Sequence, residues 1–223
     1  AGDFNTALGY NAVSAVSTTR CNTGIGHNAL RVTTGNSNTA VGSNSLYGTY
    51  AGSNNTAVGD NALTANNTGD NNTALGLNSG KLITSDTANY NLTLGTESGD
   101  NLTTGAGNVI IGSVDAASAT GDRQLKIAGY DGTTTTTWIS GDSAGALTFA
   151  NNINVGGNAT VTGNLTVNGT TTTVNSTEVT IQNAFVFEGA TADAHETTLT
   201  VVDPTADRTL TLPNESGDVI IGK

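Results

Sequence analysis

Residues 38–46 read NTAVGSNSL, and residues 55–63 read NTAVGDNAL. A catalytic site is needed once; a phrase that returns is a building unit. Aligned on Asn-x-x-x-Gly, the chain holds seven copies: NTALG at 5–9, NTGIG at 22–26, NTAVG at 38–42, NTAVG at 55–59, NTALG at 72–76, NLTLG at 91–95 and NVIIG at 108–112. They begin at Asn5, Asn22, Asn38, Asn55, Asn72, Asn91 and Asn108. They end at Gly9, Gly26, Gly42, Gly59, Gly76, Gly95 and Gly112, so successive glycines lie 17, 16, 17, 17, 19 and 17 residues apart. A second Asn follows two residues after the glycine in the first five copies, at Asn11, Asn28, Asn44, Asn61 and Asn78. A period this steady marks a stack of like units.

About 17 residues are too few for a helical hairpin. They suit one coil of a β-solenoid, with two short strands and two turns. Side chains alternate along a strand, so Thr39 and Val41 point one way and Ala40 the other. Val41 is matched by Leu8, Ile25, Val58, Leu75, Leu94 and Ile111, which predicts an apolar column inside the coil. Ala40 is matched by Ala7, Gly24, Ala57 and Ala74, which predicts a column of small residues on the second face, where another backbone passes close by. The repeat glycine supplies a corner with φ > 0. The Asn column is expected to stack into a ladder of side-chain amides.

Composition supports a narrow fold. In 223 residues, aromatic side chains make up 4%, charged ones 11%, and Met is missing, so a wide conventional core cannot form. Pro is only 2, and Val, Ile, Leu and Thr recur in strand-like patterns, unlike a disordered chain. Narrow folds need staples. Cys21 stands alone, which excludes an intrachain disulfide. Oligomerisation through the small-residue face is the remaining route. A net charge of −11 argues against a nucleic-acid partner, because phosphates are bound by Lys and Arg. No apolar run approaches the ~20 residues of a membrane span, so membrane insertion is not expected. The chain opens AGDFNTALG, without Met and already inside a repeat, as a fragment or processed product would.

The expected domains are four. Residues 1–114 form the solenoid. Residues 115–150 change pattern: LKIAG, TTTWIS and GALTFA read as strands between Gly-Asp turns, giving a meander or a β-prism face. Residues 151–183 carry hexads, NINVGG, NATVTG and NLTVNG, with apolar residues second and fourth (Ile153, Val155; Ala159, Val161; Leu165, Val167). Three hexads make about one coil of a single-chain β-helix, so three chains winding together is the economical reading. Residues 184–223 form a small β module.

The repeat N-T-A-[LV]-G-x-N-[AS]-[LV] resembles the head repeats of trimeric autotransporter adhesins and the repeat regions of bacteriophage fibres. The stretches GNLTVNGTTTTVNSTEVTIQN and FVFEGATADAHETTLTVVDPTADRTLTLPNESGDVI are similar to those of phage tail-fibre and marine or cyanophage virion proteins. The resemblance implies an elongated parallel homotrimer. It also implies a virion fibre, on tail or head, that sits at the virion surface with other virion proteins and meets a host-surface glycan or protein. A bacterial trimeric surface adhesin is the alternative, and an ice-binding or other extracellular filament a minor one. A self-cleaving chaperone domain, common at the end of phage fibres, is not recognisable in the sequence.

Enzymatic chemistry finds little support. His27 and His195 are far apart, and His27 follows the repeat glycine, where Tyr10, Ser43, Asp60, Leu77 and Thr96 stand in other copies. So permissive a position is an exposed turn. Asp193, His195, Glu196 and Asp203 are drawn together by sequence, but ATADAHETT reads as a polar turn before a strand. The Gly-Asp pairs at Asp60, Asp70, Asp100, Asp122, Asp142 and Asp218 lack the spacing of calcium-binding rolls. Sequons such as NNT at 54–56 arise by composition. Thr residues 133–137 raise ice binding, but the repeat columns are Asn, small and Val/Leu. A polysaccharide-degrading tailspike needs paired carboxylates in a groove; no such pair is evident, and Trp138 is the one Trp for sugar stacking. No enzyme, cofactor or metal is expected. Receptor contact is expected in the arcs between repeats, at Tyr47, Tyr50, Lys81 and Tyr90.

Overall fold

The structure, a computed structural model, describes residues 3–15, 18–48 and 51–168, together with the backbone of residues 184–188 and 196–200. The chain divides into two compact units, Ala1–Asn158 and Ala159–Lys223.

The first unit is the expected all-β solenoid. Seven three-residue strands, one per repeat, are β1 Thr6–Leu8, β2 Thr23–Ile25, β3 Thr39–Val41, β4 Thr56–Val58, β5 Thr73–Leu75, β6 Leu92–Leu94 and β7 Val109–Ile111. They pair in parallel and in register, Thr39 against Thr56 and Val41 against Val58, rung after rung. Each coil has one strand rather than the two expected. The opposite wall is built of turns, because Asn44 and Leu46 stand at φ 52° and 46° and break strand geometry. Its backbone still bonds to the next coil: the Leu46 N–H donates to the Ala62 carbonyl at 3.0 Å.

The repeat glycine is fixed by two requirements at once. Gly42 has φ 127°, and a Cβ there would lie 2.5 Å from the carbonyl oxygen of Gly59. Only glycine permits both the backbone angle and the approach of the next coil.

The Asn column is buried and does more than stack. Asn38 Oδ1 accepts the backbone N–H of Asn55 at 2.9 Å, while its Nδ2 donates to the carbonyl of Gly52 at 2.8 Å. Asn55 repeats this towards Asn72 and Gly69, both at 2.8 Å. The amide thus ties the start of one coil to its own end and to the start of the next. Direct amide–amide bonds appear only late in this column, as from Asn91 to Asn72 at 3.1 Å. They also join the second Asn column, from Asn28 to Asn44 at 3.2 Å.

The inside and outside of the coil are the reverse of the sequence expectation. Ala40, Ala57 and Ala74 are completely buried, and they face Leu30, Leu46 and Leu63 from the opposite wall, also completely buried. Those leucines fill the narrow interior and leave room for a methyl group or less. At Gly24 even a Cβ would lie 2.6 Å from Val13 Cγ2. The Leu/Val/Ile column points outward: Leu8 is 67% exposed and Leu75 46%. Later coils repack the interior. Gly80 and Gly99 replace the leucine, Ile83 and Leu102 fill the space, and Thr93 and Ile110 replace alanine; all four of these side chains are buried.

The pattern read as ending at Val114 continues. Strand β8, Leu125–Tyr130, pairs in parallel with β7, Val109 against Leu125. Gln124 takes the ladder position: Asn108 Oδ1 accepts its backbone N–H at 2.8 Å, and Nε2 donates to Ser118 and Gly121 carbonyls at 2.9 and 2.8 Å. Half-buried Lys126 stands where the inward alanine stood, and apolar filling stops there. Strands β9 Thr135–Gly141 and β10 Leu147–Phe149 then turn back antiparallel, completing a ten-stranded sheet. They match TTTWIS and GALTFA as read from the sequence.

Residues 151–168 form no strand, and the hexad side chains Ile153, Val155, Val161, Leu165 and Val167 are exposed. In the second unit, β11 Ala184–Glu188 pairs antiparallel with β12 Glu196–Thr200.

Candidate functional site

Two kinds of surface emerge from this stack: an outward sheet face and the corners between rungs. On the sheet face, register places Leu8, Ile25, Val41, Val58, Leu75, Leu94 and Ile111 in single file. The same file runs on through Ile127, Ile139 and Phe149. Beside it on the same face stand Thr6, Thr23, Thr39, Thr56 and Thr73, then Leu92 and Val109. No charged residue lies in β1 to β7. In a chain with net charge −11, an apolar, uncharged file about 30 Å long over seven rungs is a marked segregation.

The corners carry the residues expected to touch a receptor. Tyr47 and Lys81 each lie five residues after their repeat glycine, so they share one column two rungs apart. Tyr47 is half-buried. Arg31, one rung before it, donates from Nη1 to its hydroxyl at 2.6 Å and sets its guanidinium 5.3 Å from the ring centre. Lys81 is half-buried and faces Asp100 of the next rung. Tyr90 stands at a different corner, immediately before Asn91, with φ 60° and its ring 69% exposed. Tyr47, Lys81 and Tyr90 are therefore not one patch. Tyr50 lies outside the described residues. The long interval of 81–90 is taken up by a turn knit to itself, with Asn89 Nδ2 on the Asp86 carbonyl at 2.8 Å and the Thr87 N–H on Ser85 Oγ at 3.2 Å.

Of the titratable groups weighed in the sequence, His27 is exposed and stacks on Tyr10, ring centres 5.6 Å apart and planes 8° from parallel. His195, Asp193 and Asp203 lie outside the described residues, as does the side chain of Glu196. Cys21 is exposed at a corner with φ 59°. Among the described residues no group of three His, Cys, Asp or Glu side chains is placed to hold a metal ion.

Sequence reading missed one cluster. Glu97, Asp100 and Asp115 line an open cleft of about 270 Å³ with Ser113, Tyr130 and Thr135. Asp100 is pushed up to about 6, first by burial, then by its hydrogen bond to Asp115 and by the charges of Asp115 and Glu97; Lys81 opposes this. Asp100 and Asp115 come from adjacent rungs, and Asp115 acts on Asp100 closely enough to raise it through hydrogen bonding and charge. Glycoside hydrolysis instead needs carboxyls about 5 Å or more apart, flanking a substrate. The rung alignment gave no signal for it: Asp100 lies five residues after Gly95 but Asp115 only three after Gly112, so the repeat spacing does not set them in one column.

No protein-family model matches this chain, and neither a curated protein nor a solved structure matches it.

Proposed function

We propose that this chain is a structural fibre of a virion, a parallel homotrimeric rod at the particle surface that carries host attachment. The observation that carries the reading is the uncharged apolar file along the sheet. Copies packed side by side and in parallel would bury it along its whole length, and identical rungs would meet identical rungs. The contact surface is thus the outward Leu/Val/Ile column. The small-residue face named from sequence cannot serve, because it lies inside the coil. The hexads fit the same scheme: their alternating side chains find cover when three chains wind together. A rod of this kind works by reach and adhesion, with other virion proteins at its base and a host-surface glycan or protein at its partner end.

Two experiments test the reading. Sedimentation of the purified chain at micromolar concentration is expected to give a trimer; a folded monomer overturns the assembly. Immunogold labelling with an antibody against the chain is expected to decorate appendages of virus particles. Gold confined to bacterial envelopes favours the surface adhesin instead. With particles in hand, replacing Tyr47, Tyr50 and Tyr90 together by Ser while the trimer persists is expected to reduce adsorption; undiminished adsorption places attachment elsewhere on the fibre.

A further inference from the structure

The hairpin of β8 and β9 is longer than the coil rungs. Residues 125–127 pair with β7, but Ala128, Gly129 and Tyr130 run past the three-residue strands and pair only with Thr137, Thr136 and Thr135. The overhang lies beside the apolar file rather than in it. Between Ile127 and Ala128 the register shifts, leaving Trp138 as the extra residue of a bulge. Bulges re-aim side chains. Here the indole is turned over Gly129, where a Cβ would lie 2.6 Å from Cζ2. Glycine at 129 makes room for the ring to lie against the strand, yet Trp138 remains 53% exposed. A large aromatic side chain seated by a glycine and a bulge, and left half in water, presents a rigid apolar plate.

The plate has polar surroundings of one kind. A cleft of about 350 Å³ lies beside it, lined by Gly129, Tyr130, Asp131, Thr134, Thr136 and Trp138. Its size falls in the ordinary range for small-ligand sites. Asp131 Oδ1 accepts the N–H groups of Thr133 at 2.9 Å and Thr134 at 2.8 Å, which fixes the carboxylate at the rim. The same bonds, that of Thr134 first, hold its pKa below the usual carboxylate range, so it stays an ionised acceptor. Thr134 and Thr136 supply hydroxyls. No Lys, Arg or His lines the cleft. A second cleft of about 290 Å³, with Asn151 and Asn152 at its edge, opens on another side of the same indole.

We propose that the Trp138 plate with Asp131, Thr134 and Thr136 is a binding site for a neutral saccharide. A sugar ring offers one face of C–H groups, which suits an aromatic face, and a rim of hydroxyls, which suits a carboxylate and threonines. The carboxylate and the lack of cations select against anionic sugars. The proposal rests on the host-attachment reading and gives that reading a ligand class, at a place distinct from Tyr47, Tyr50, Lys81 and Tyr90.

Trp138 is the one Trp in the chain, so its fluorescence reports this site alone. The intact chain is titrated with maltohexaose, cellohexaose and hexa-N-acetylchitohexaose, with heparin as the anionic control. A saturable change in emission with at least one neutral hexaose and none with heparin is expected. Calorimetry is expected to show Asp131→Asn weakening that binding and Trp138→Ala weakening it at least about tenfold. Circular dichroism checks that each variant keeps the fold. Two results overturn the site: no neutral hexaose binds at millimolar concentration, or binding is unchanged in both variants. A third also does: if Trp138 in the assembled protein emits at short wavelength and resists acrylamide, a second copy covers it. Each of these leaves the immunogold result untouched, so failure of the site and failure of the fibre reading are told apart.

Discussion

Asn38 holds the backbone of Asn55. Its Oδ1 accepts that N–H at 2.9 Å from a side chain with no exposure to solvent. The same bond repeats from Asn5 to Gln124, so the coil's pitch is set by buried amides as much as by strand pairing. Asn55→Ala is expected to leave the Asn72 N–H without its partner, while the Gly69 carbonyl keeps only its 3.1 Å bond from Asn66 Nδ2. At about 1–3 kcal/mol for the buried orphan and about 1 kcal/mol for the second lost bond, a loss of roughly 2–4 kcal/mol follows, measurable by denaturant unfolding. Asn55→Asp should be most stable in acid, where the protonated carboxyl can still donate to Gly69. A loss under about 0.5 kcal/mol for the alanine variant contradicts this role.

Gly59→Val tests the corner. Gly59 has φ 136° and faces the Gly76 carbonyl closely. A β-branched residue tolerates neither. The variant is expected to misfold or to lose the cooperative melt; an unchanged Tm refutes the assignment.

The acid pair predicts a pH dependence with a definite sign. Asp100, ordinarily near 3.8, is raised to about 6 in the folded chain. Between these values the folded state holds a proton that the unfolded state has released. This group's contribution to stability is therefore greatest in acid and is lost as pH rises through about 6. Wild type is expected to lose Tm relative to Asp100→Asn between about pH 4 and about pH 6, and to keep a steady offset from it above about pH 7. Parallel curves for the two proteins exclude the effect.

Leu75→Asp places a carboxylate in the middle of the apolar file, on a side chain already 46% exposed. The coil should still form, since the inward wall is untouched. Sedimentation is expected to shift to the monomer with the circular dichroism retained. An intact trimer would show that copies meet on another face.

Much of the coil was legible in the sequence, and for stated reasons. Gly42 and its equivalents were readable because a φ > 0 corner leaves glycine few substitutes. The Asn column was readable because a buried amide that satisfies a donor in the next coil and an acceptor in its own cannot drift. The direction of the strand was not. Alternation says that Ala40 and Val41 face opposite ways, but not which faces in. The deciding fact is the volume of Leu30, Leu46 and Leu63 on the far wall, and those residues belong to turns that carry no strand signal. Gln124 was missed because a Gln in place of Asn, followed by Lys126 in place of Ala, breaks the spelling of the motif while keeping its bonds.

Another column escaped notice because its residues share a backbone angle and no chemistry. Phe4, Cys21, Ser37, Asn54, Asn71 and Tyr90 each precede a ladder Asn, with φ between 58° and 61°. The candidate saccharide site was equally hidden. Trp138 was visible as a lone Trp, but its placement depends on a bulge and on Gly129, neither of which has a periodic signature.

The in-register stacking of Asn38 on Asn55 also makes the chain countable. Among the described residues each coil bonds to the one before and the one after, and the bond from ladder amide to the next ladder N–H is the same at each step. Excising residues 39–55 in one piece brings Asn38 directly before Thr56 and restores the text of a repeat. A gene that gains or drops one such unit in frame therefore changes the reach of its product by one rung, about 4.8 Å, and keeps a ladder Asn on each side of the new seam. Length, in this architecture, is a heritable quantity that varies in whole numbers.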